Sequence, residues 1–164
     1  MNAAPAIFAD PLSRLALAVF RCNGALIAVG DALVEPFALT SARWQVLGAI
    51  VDAHGQLSVA GIARNMGLVR QSVQRVVNDL AALELVRLVP NPHHRRAQLV
   101  QLTREGELRF ENAAARWLTQ TNGLMADLHI DRISDLVGLL DTLRERLGDM
   151  ASPEPVSPPA KDGD

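Results

Sequence analysis

The fold is decided by residues 58–101, SVAGIARNMGLVRQSVQRVVNDLAALELVRLVPNPHHRRAQLVQ. Ser58 is a good N-cap for a short helix that we expect over Val59 to Asn65. Gly67 follows as a residue that tolerates the positive φ of a helix end. A short helix and a glycine turn predict a second helix that packs against the first.

The second helix is expected over residues 69–83 and is amphipathic. One side is apolar at the spacing of a buried stripe and carries Val73, Val76, Val77, Leu80 and Leu83. The polar residues of the helix can hydrogen-bond outward and are Arg70, Gln71, Ser72, Gln74, Arg75 and Asn78. Val69 stands where a capping oxygen is expected. Either this is a weak start, or a backbone or phosphate group completes that end of the helix.

A β-hairpin with a basic tip is predicted after Leu83. The strands are Val86 to Val89 and Ala97 to Gln101, separated by a loop that begins Pro90-Asn91-Pro92. The tip carries His93, His94, Arg95 and Arg96. Such a tip suits a DNA minor groove or phosphates, where arginine is favoured by the negative potential. Two adjacent histidines lack the spacing of a chelating pair, so no metal site is expected.

Together these elements predict a mainly α protein with a winged helix-turn-helix that reads DNA. Amide side chains suit the adenine edge, and guanidinium groups suit guanine or phosphate. A polar helix face can also be merely solvated, and winged helices also serve as protein docking surfaces. The basic hairpin beside the helix favours double-stranded DNA as the partner. The predicted contacts are Arg70, Gln71, Ser72, Gln74, Arg75, Asn78, His93, His94, Arg95 and Arg96.

Residues 67–106, GLVRQSVQRVVNDLAALELVRLVPNPHHRRAQLVQLTREG, resemble the signature of the MarR family of winged-helix transcriptional regulators. The start of the recognition helix is matched by Gly67, Leu68, Arg70, Val73 and Arg75; the wing tip and the following LTxxG motif are matched by Arg95, Arg96, Leu102, Thr103 and Gly106. The similarity extends over about residues 10–148. Two positions depart from the family pattern. Val69 replaces the usual Ser or Thr, and His94 replaces an Asp that holds a wing arginine.

The terminal helices carry seams suited to dimerisation. The first, from Pro11 to about Leu33, repeats apolar residues at alternating intervals of three and four: Leu12, Leu15, Val19, Cys22, Leu26, Val29 and Leu33. The last, over about residues 132–147, carries the stripe Ile133, Leu136, Val137, Leu140, Leu143 and Leu147. The resemblance implies the same arrangement, a homodimer built from residues 11–34 and 104–149 around a DNA-binding lobe at 40–102. Such a dimer would present two recognition helices about 34 Å apart to a pseudo-palindromic operator.

The resemblance also implies regulation, with a repressor as the commoner case. Members often bind small aromatic acids in a pocket between the first, second and fifth helices. In the second helix, expected over Ala42 to Ala53, Arg43 could pair with a carboxylate and Trp44 could stack on its ring, although Trp44 also fits the core. Some relatives sense peroxide through a cysteine in the first helix. There the cysteine is supported by tyrosines, whereas this chain has no Tyr, and Cys22 on the seam is expected to be a small buried residue.

Composition sets the remaining expectations. The chain of 164 residues, 49% hydrophobic, predicts one domain at 11–150, between a flexible segment at 1–10 and a disordered proline-rich tail at 151–164. The net charge is −2, but residues 64–96 contain six Arg against Asp79 and Glu84, which gives +4 there and −6 elsewhere. A single cysteine and no apolar run of membrane-spanning length indicate a cytoplasmic protein without a membrane segment. No constellation of catalytic residues or cofactor motif is present, so neither an enzyme nor a cofactor is expected.

Overall fold

A computed structural model describes residues 10–94 and 96–151. Within them lie the helices α1 (Pro11–Val34), α2 (Ser41–Asp52), α3 (Val59–Met66), α4 (Arg70–Ala82), α5 (Arg104–Asp127) and α6 (Ile130–Ala151), and the strands β1 (Val86–Val89) and β2 (Leu99–Leu102). One 3-10 turn, Glu35–Phe37, follows α1. The predicted mainly α winged helix-turn-helix is confirmed. The expectations for residues 1–9, Arg95 and 152–164 lie outside the described residues.

The helix starts follow local capping chemistry. Thr40 Oγ1 accepts a hydrogen bond from Arg43 N at 3.3 Å and begins α2, and Ser58 Oγ does the same with Gly61 N at 3.3 Å for α3. Asp10, which was expected in the flexible segment, caps α1 by accepting from Ser13 N at 2.7 Å. The cap gives this residue a defined place at the start of α1, which begins at Pro11 as expected.

The core of the DNA-binding lobe forms where α1 to α5 and the hairpin meet. Its fully buried large side chains are Val34, Val46, Leu47, Ile50, Ile62, Val73, Val77, Leu80, Leu85 and Val100. The predicted stripe of α4 is confirmed at Val73, Val77 and Leu80, and Val76 is half-buried. Leu83 is 40% exposed because α4 ends at Ala82 and the chain turns through Glu84 at φ 57°, away from the helix axis.

The wing, residues 86–102, is an antiparallel hairpin in which Val86 pairs with Leu102 and Val89 with Leu99. Its second strand begins two residues later than predicted, because Ala97 N donates to His94 O at 3.0 Å and belongs to the turn. Val100 N donates to Leu57 O at 2.9 Å, and Ser58 forms an isolated bridge with Leu99. The two residues just before α3, Leu57 and Ser58, therefore pair with β2 as a neighbouring strand would, and this pairing holds the wing in place.

The base of the wing explains the LTxxG motif. Thr103 N donates to Leu85 O at 3.0 Å, and Thr103 Oγ1 donates to Glu84 O at 2.6 Å while accepting from Gly106 N at 3.1 Å. A Cβ on Gly106 would overlap the Leu85 carbonyl oxygen and lie 3.0 Å from its carbonyl carbon. Glycine at 106 is therefore required by this close backbone approach.

The chain divides into two compact units, one up to Thr119 and one from Gln120. In the first unit, the buried residues of α1 are Gly30, Leu33 and Val34, all in its last two turns. Its seam residues Leu12, Val19, Leu26 and Val29 are exposed. In the second unit, Leu136, Val137 and Leu147 of α6 are also exposed. These are faces that we expect to dimerise, and the single-domain assignment and the dimer both stay predictions.

Two features of α1 bear on the expectations from sequence. Cys22 is exposed in the single chain, because α1 enters the core only through its C-terminal end. It lies on the seam that we expect to dimerise, so its burial stays a prediction. The segment Pro11–Phe37 is also long and apolar enough, by length and composition, to cross a membrane. One such helix is weak evidence for a membrane protein, because a helix that pairs with other helices can carry the same exposed apolar side chains.

Candidate nucleic-acid interface

The recognition helix α4 presents a polar face to solvent. Val73, Val77 and Leu80 bury its inner side. The residues predicted to contact DNA are exposed on the other side, with Gln74 half-buried: Arg70, Gln71, Ser72, Gln74, Arg75 and Asn78. Packing of α4 against α2, α3 and β1 fixes the position of this face.

The recognition helix and the wing share one open groove of about 370 Å³, which we call the wing groove. It is lined by Ser58, Val59, Ala60, Arg70, Gln74, Leu88, Arg96, Ala97 and Gln98. Two arginines that are 26 residues apart in sequence therefore border the same groove, one on α4 and one on the wing. Such a pair of cations suits the phosphate backbone of a duplex.

The other predicted contacts in the described part of the chain do not line this groove. Gln71 and Arg75 are exposed on α4, and Ser72 borders a cavity on the side of α1. His93 and His94 are exposed in the wing turn, where Asn91 Oδ1 accepts from His93 N at 2.9 Å. Arg95 is outside the described residues. Sequence reasoning missed Ser58 and Gln98 as groove residues, because only the pairing of Ser58 with Leu99 brings them there.

Two amide side chains of α4 are already paired with each other. Gln74 Nε2 donates to Asn78 Oδ1 at 2.9 Å across one helical turn. This bond leaves the Gln74 carbonyl oxygen as an acceptor and the Asn78 amino group as a donor. An adenine edge offers one donor and one acceptor, so a preordered pair of this kind matches it.

The N-terminus of α4 has no side-chain cap. Val69 adopts the extended backbone of an N-cap residue, with φ −69° and ψ 131°, but it has no oxygen to offer. Its carbonyl accepts from Ser72 N and Val73 N, which leaves the N–H groups of Arg70 and Gln71 without a capping side chain. These groups and the helix dipole favour an anion such as a phosphate.

The two residues predicted to bind a ligand lie in different surroundings. The Trp44 ring packs on Trp117 of α5, with ring centroids 5.7 Å apart and planes at 54°. Trp44 Nε1 is buried and makes no hydrogen bond within the described part of the chain. Arg43 instead lies 3.6 Å from Asp79 Oδ2 of α4. Neither residue lines the cavity of about 410 Å³ that lies between α1, α2 and α4.

A group of three or more His, Cys, Asp or Glu side chains that could hold a metal ion does not occur among the side chains that the structure describes. The wing groove and the start of α4 offer guanidinium, amide and backbone N–H groups. These groups hydrogen-bond and neutralise charge, which is the chemistry of nucleic-acid binding.

Known proteins resemble this chain in sequence and in fold. An uncharacterised protein of Mycobacterium tuberculosis is 36% identical over 115 residues, which is 70% of this chain and 79% of that protein. The transcriptional activatory protein BadR of Rhodopseudomonas palustris is 29% identical over 150 residues, covering 87% and 85% of the two chains. A crystal structure of a mutant MarR from E. coli with operator DNA superposes with a TM-score of 0.71 at 22% identity, covering 86% of this chain and 99% of that one. Residues 39–97 match the profile of the MarR family, and the chain belongs to that family of winged-helix transcriptional regulators.

Proposed function

We propose that this DNA-binding transcriptional regulator is a homodimeric repressor that reads a pseudo-palindromic operator. The observation that carries the proposal is the wing groove, where Arg70 and Gln74 of α4 and Arg96 of the wing line one surface. Base contacts come from α4 and phosphate contacts from both elements. The chain is acidic overall, with its positive charge concentrated in residues 64–96, so affinity for DNA is confined to this face.

The homodimer is supported by the exposed apolar faces of α1 and α6. Leu12, Phe20, Leu26 and Val29 on α1 are at least half exposed in the single chain. Apolar side chains exposed repeatedly along one helix indicate an interaction surface. Sedimentation at micromolar concentration should give twice the chain mass, and a monomer would contradict the proposal.

Operator binding is tested by selecting fragments of the source genome with the purified protein. We expect enrichment of a two-fold symmetric motif whose half-sites are centred about 10 base pairs apart. Arg70→Ala and Arg96→Ala should abolish or weaken the enrichment, whereas Arg116→Ala, an exposed change on α5, should not. Failure to enrich any motif would favour the alternative, a winged helix that docks proteins.

Repression would act by steric occlusion of a promoter. A second candidate is activation, because BadR, which is 29% identical, is named a transcriptional activatory protein. A reporter fused to the selected operator decides between them. Higher expression on deletion of the regulator gene supports repression, and lower expression supports activation.

The proposed effector is a small aromatic acid bound near Trp44. The Trp44 ring packs on that of Trp117, and the buried Trp44 Nε1 has no acceptor among the described residues, which a ligand oxygen could supply. A ligand carboxylate could also compete with Asp79 for Arg43 and thereby act on α4. Benzoate and salicylate should raise the melting temperature of the protein and weaken operator binding. Trp44→Phe, which keeps a ring but removes the N–H, should reduce both effects.

The redox alternative rests on Cys22, which is exposed on α1. If the protein senses peroxide, Cys22→Ser should abolish a peroxide-dependent loss of operator binding. We also propose that the protein acts in the cytoplasm and that it has no enzymatic activity. For the redox alternative, we propose that Cys22 is not a peroxide sensor. Peroxide treatment of the wild type should then leave operator binding unchanged.

A further inference from the structure

Val69 is an apolar residue left in solvent at the end of the recognition helix. Its relative exposure is 69%, and it does not belong to the hydrophobic core. The neighbouring Leu68 is 49% exposed but lines the cavity between α1, α2 and α4. Val69 lines neither that cavity nor the wing groove, and it directly precedes Arg70, which does line the groove.

Helix capping gives no reason for a valine at this position. Val69 has the backbone conformation of an N-cap, in which Ser, Thr, Asp or Asn would bond a free N–H of α4. Ser58 makes that bond at the equivalent place in α3, with its oxygen 3.3 Å from Gly61 N. The valine therefore forgoes a cap and exposes its methyl groups to water.

The surroundings of Val69 indicate what covers it when the protein is bound. The exposed residues that follow it on α4, Arg70 and Gln71, are polar and belong to the proposed DNA face. N-terminal residues of a recognition helix contact base edges in the major groove. Among the base edges there, thymine alone presents an apolar group, its C5-methyl.

We propose that Val69 reads a thymine by packing against its C5-methyl group, once in each half-site. The inference rests on the proposed operator binding and adds to it one specificity-determining residue. The contact removes two apolar groups from water at the same time, which a serine or threonine hydroxyl at this position would do less well.

Thymine-to-uracil substitution in the selected operator tests this directly. Uracil lacks the C5-methyl but keeps the hydrogen-bonding groups of thymine. Replacing each thymine in turn should identify one position per half-site at which the wild type loses about four-fold in affinity, the effect of one buried methyl group. Replacement in both half-sites should cost roughly 16-fold, because the two contacts are distant and additive.

Variants assign the effect to the side chain. Val69→Ser should bind the thymine and uracil operators equally, whereas Val51→Ser, a matched change at an exposed valine on α2, should keep the wild-type discrimination. Circular dichroism should show both variants folded, since neither removes a buried side chain.

The outcomes separate the two proposals. If no motif is selected, operator binding itself fails. If a motif is selected but no thymine is sensitive to uracil, the Val69 inference is overturned and operator binding stands. A sensitive thymine that remains sensitive in Val69→Ser also overturns it, because another residue then reads the methyl group.

Discussion

Serine at position 69 should make the protein more stable than alanine there, by about 1 kcal/mol. The backbone of Val69, at φ −69° and ψ 131°, lies in the same extended region as that of Ser58, at φ −80° and ψ 168°. A serine oxygen can therefore accept from the first turn of α4 without moving the chain. N-caps of this kind stabilise by about 0.5–2 kcal/mol relative to alanine, typically about 1.

The wild type should lie between the two variants. Because Val69 is 69% exposed, roughly a third of its side chain is covered, and losing that contact costs about 0.5 kcal/mol of the roughly 1.5 kcal/mol for a fully buried valine. Val69→Ala should then destabilise by about 0.5 kcal/mol, and Val69→Ser should stabilise by a similar amount. The difference between the variants corresponds to roughly 2–4 °C in melting temperature for a chain of this size.

Thermal and urea unfolding should be measured at one fixed protein concentration, because dimerisation makes the melting temperature depend on concentration. Ser58→Ala on α3 is the matched loss of a cap and should lower stability by about 1 kcal/mol. If the Val69→Ser protein is no more stable than Val69→Ala, the argument that a side-chain cap at position 69 stabilises α4 is refuted. If Val69→Ser is more stable than the wild type but binds the operator more weakly, the valine at this position is explained by DNA binding rather than by folding.

Three further changes test other parts of the structure. Arg96→Ala should weaken operator binding and lower the slope of log affinity against log salt by about one per half-site, while Arg116→Ala leaves it unchanged; an unaltered slope removes Arg96 from the interface. Gly106→Ala should lower the yield of folded protein or cost several degrees in melting temperature, because its Cβ overlaps a backbone carbonyl, and wild-type unfolding would show that the wing base shifts freely. Hydrogen bonds from the backbone and side chain of Ser13 lower the pKa of Asp10, so its cap stabilises fully above the ordinary aspartate pKa and is lost as pH falls below about 4. Asp10→Ala should therefore have the same free energy of unfolding as the wild type in acid, below about pH 4, and a lower one at neutral pH. Equal stability of the two proteins at neutral pH would contradict this.

Much of the fold could be predicted from interactions between residues that are close in sequence. Helices begin after the N-caps Thr40 and Ser58, and one ends at Gly67. Each of these residues hydrogen-bonds to a residue three or four positions away, so the sequence alone indicates the helix end. The polar face of α4 follows from a period of 3.6 residues, since burial of Val73, Val77 and Leu80 leaves the other side in solvent.

Tertiary structure decided what sequence spacing could not. The bridge between Ser58 and Leu99 joins residues 41 positions apart and brings Gln98 and Arg96 to the groove beside Arg70. Long-range packing also brings Arg43 to Asp79 and leaves Cys22 exposed in the single chain, neither of which helix periodicity shows. Periodicity specifies which side of a helix is apolar. Which element packs on that side depends on contacts between segments that are far apart in sequence. The sequence by itself therefore determined the helices, the wing and the chemistry of the DNA face, and only the tertiary structure determined which of those side chains share a groove.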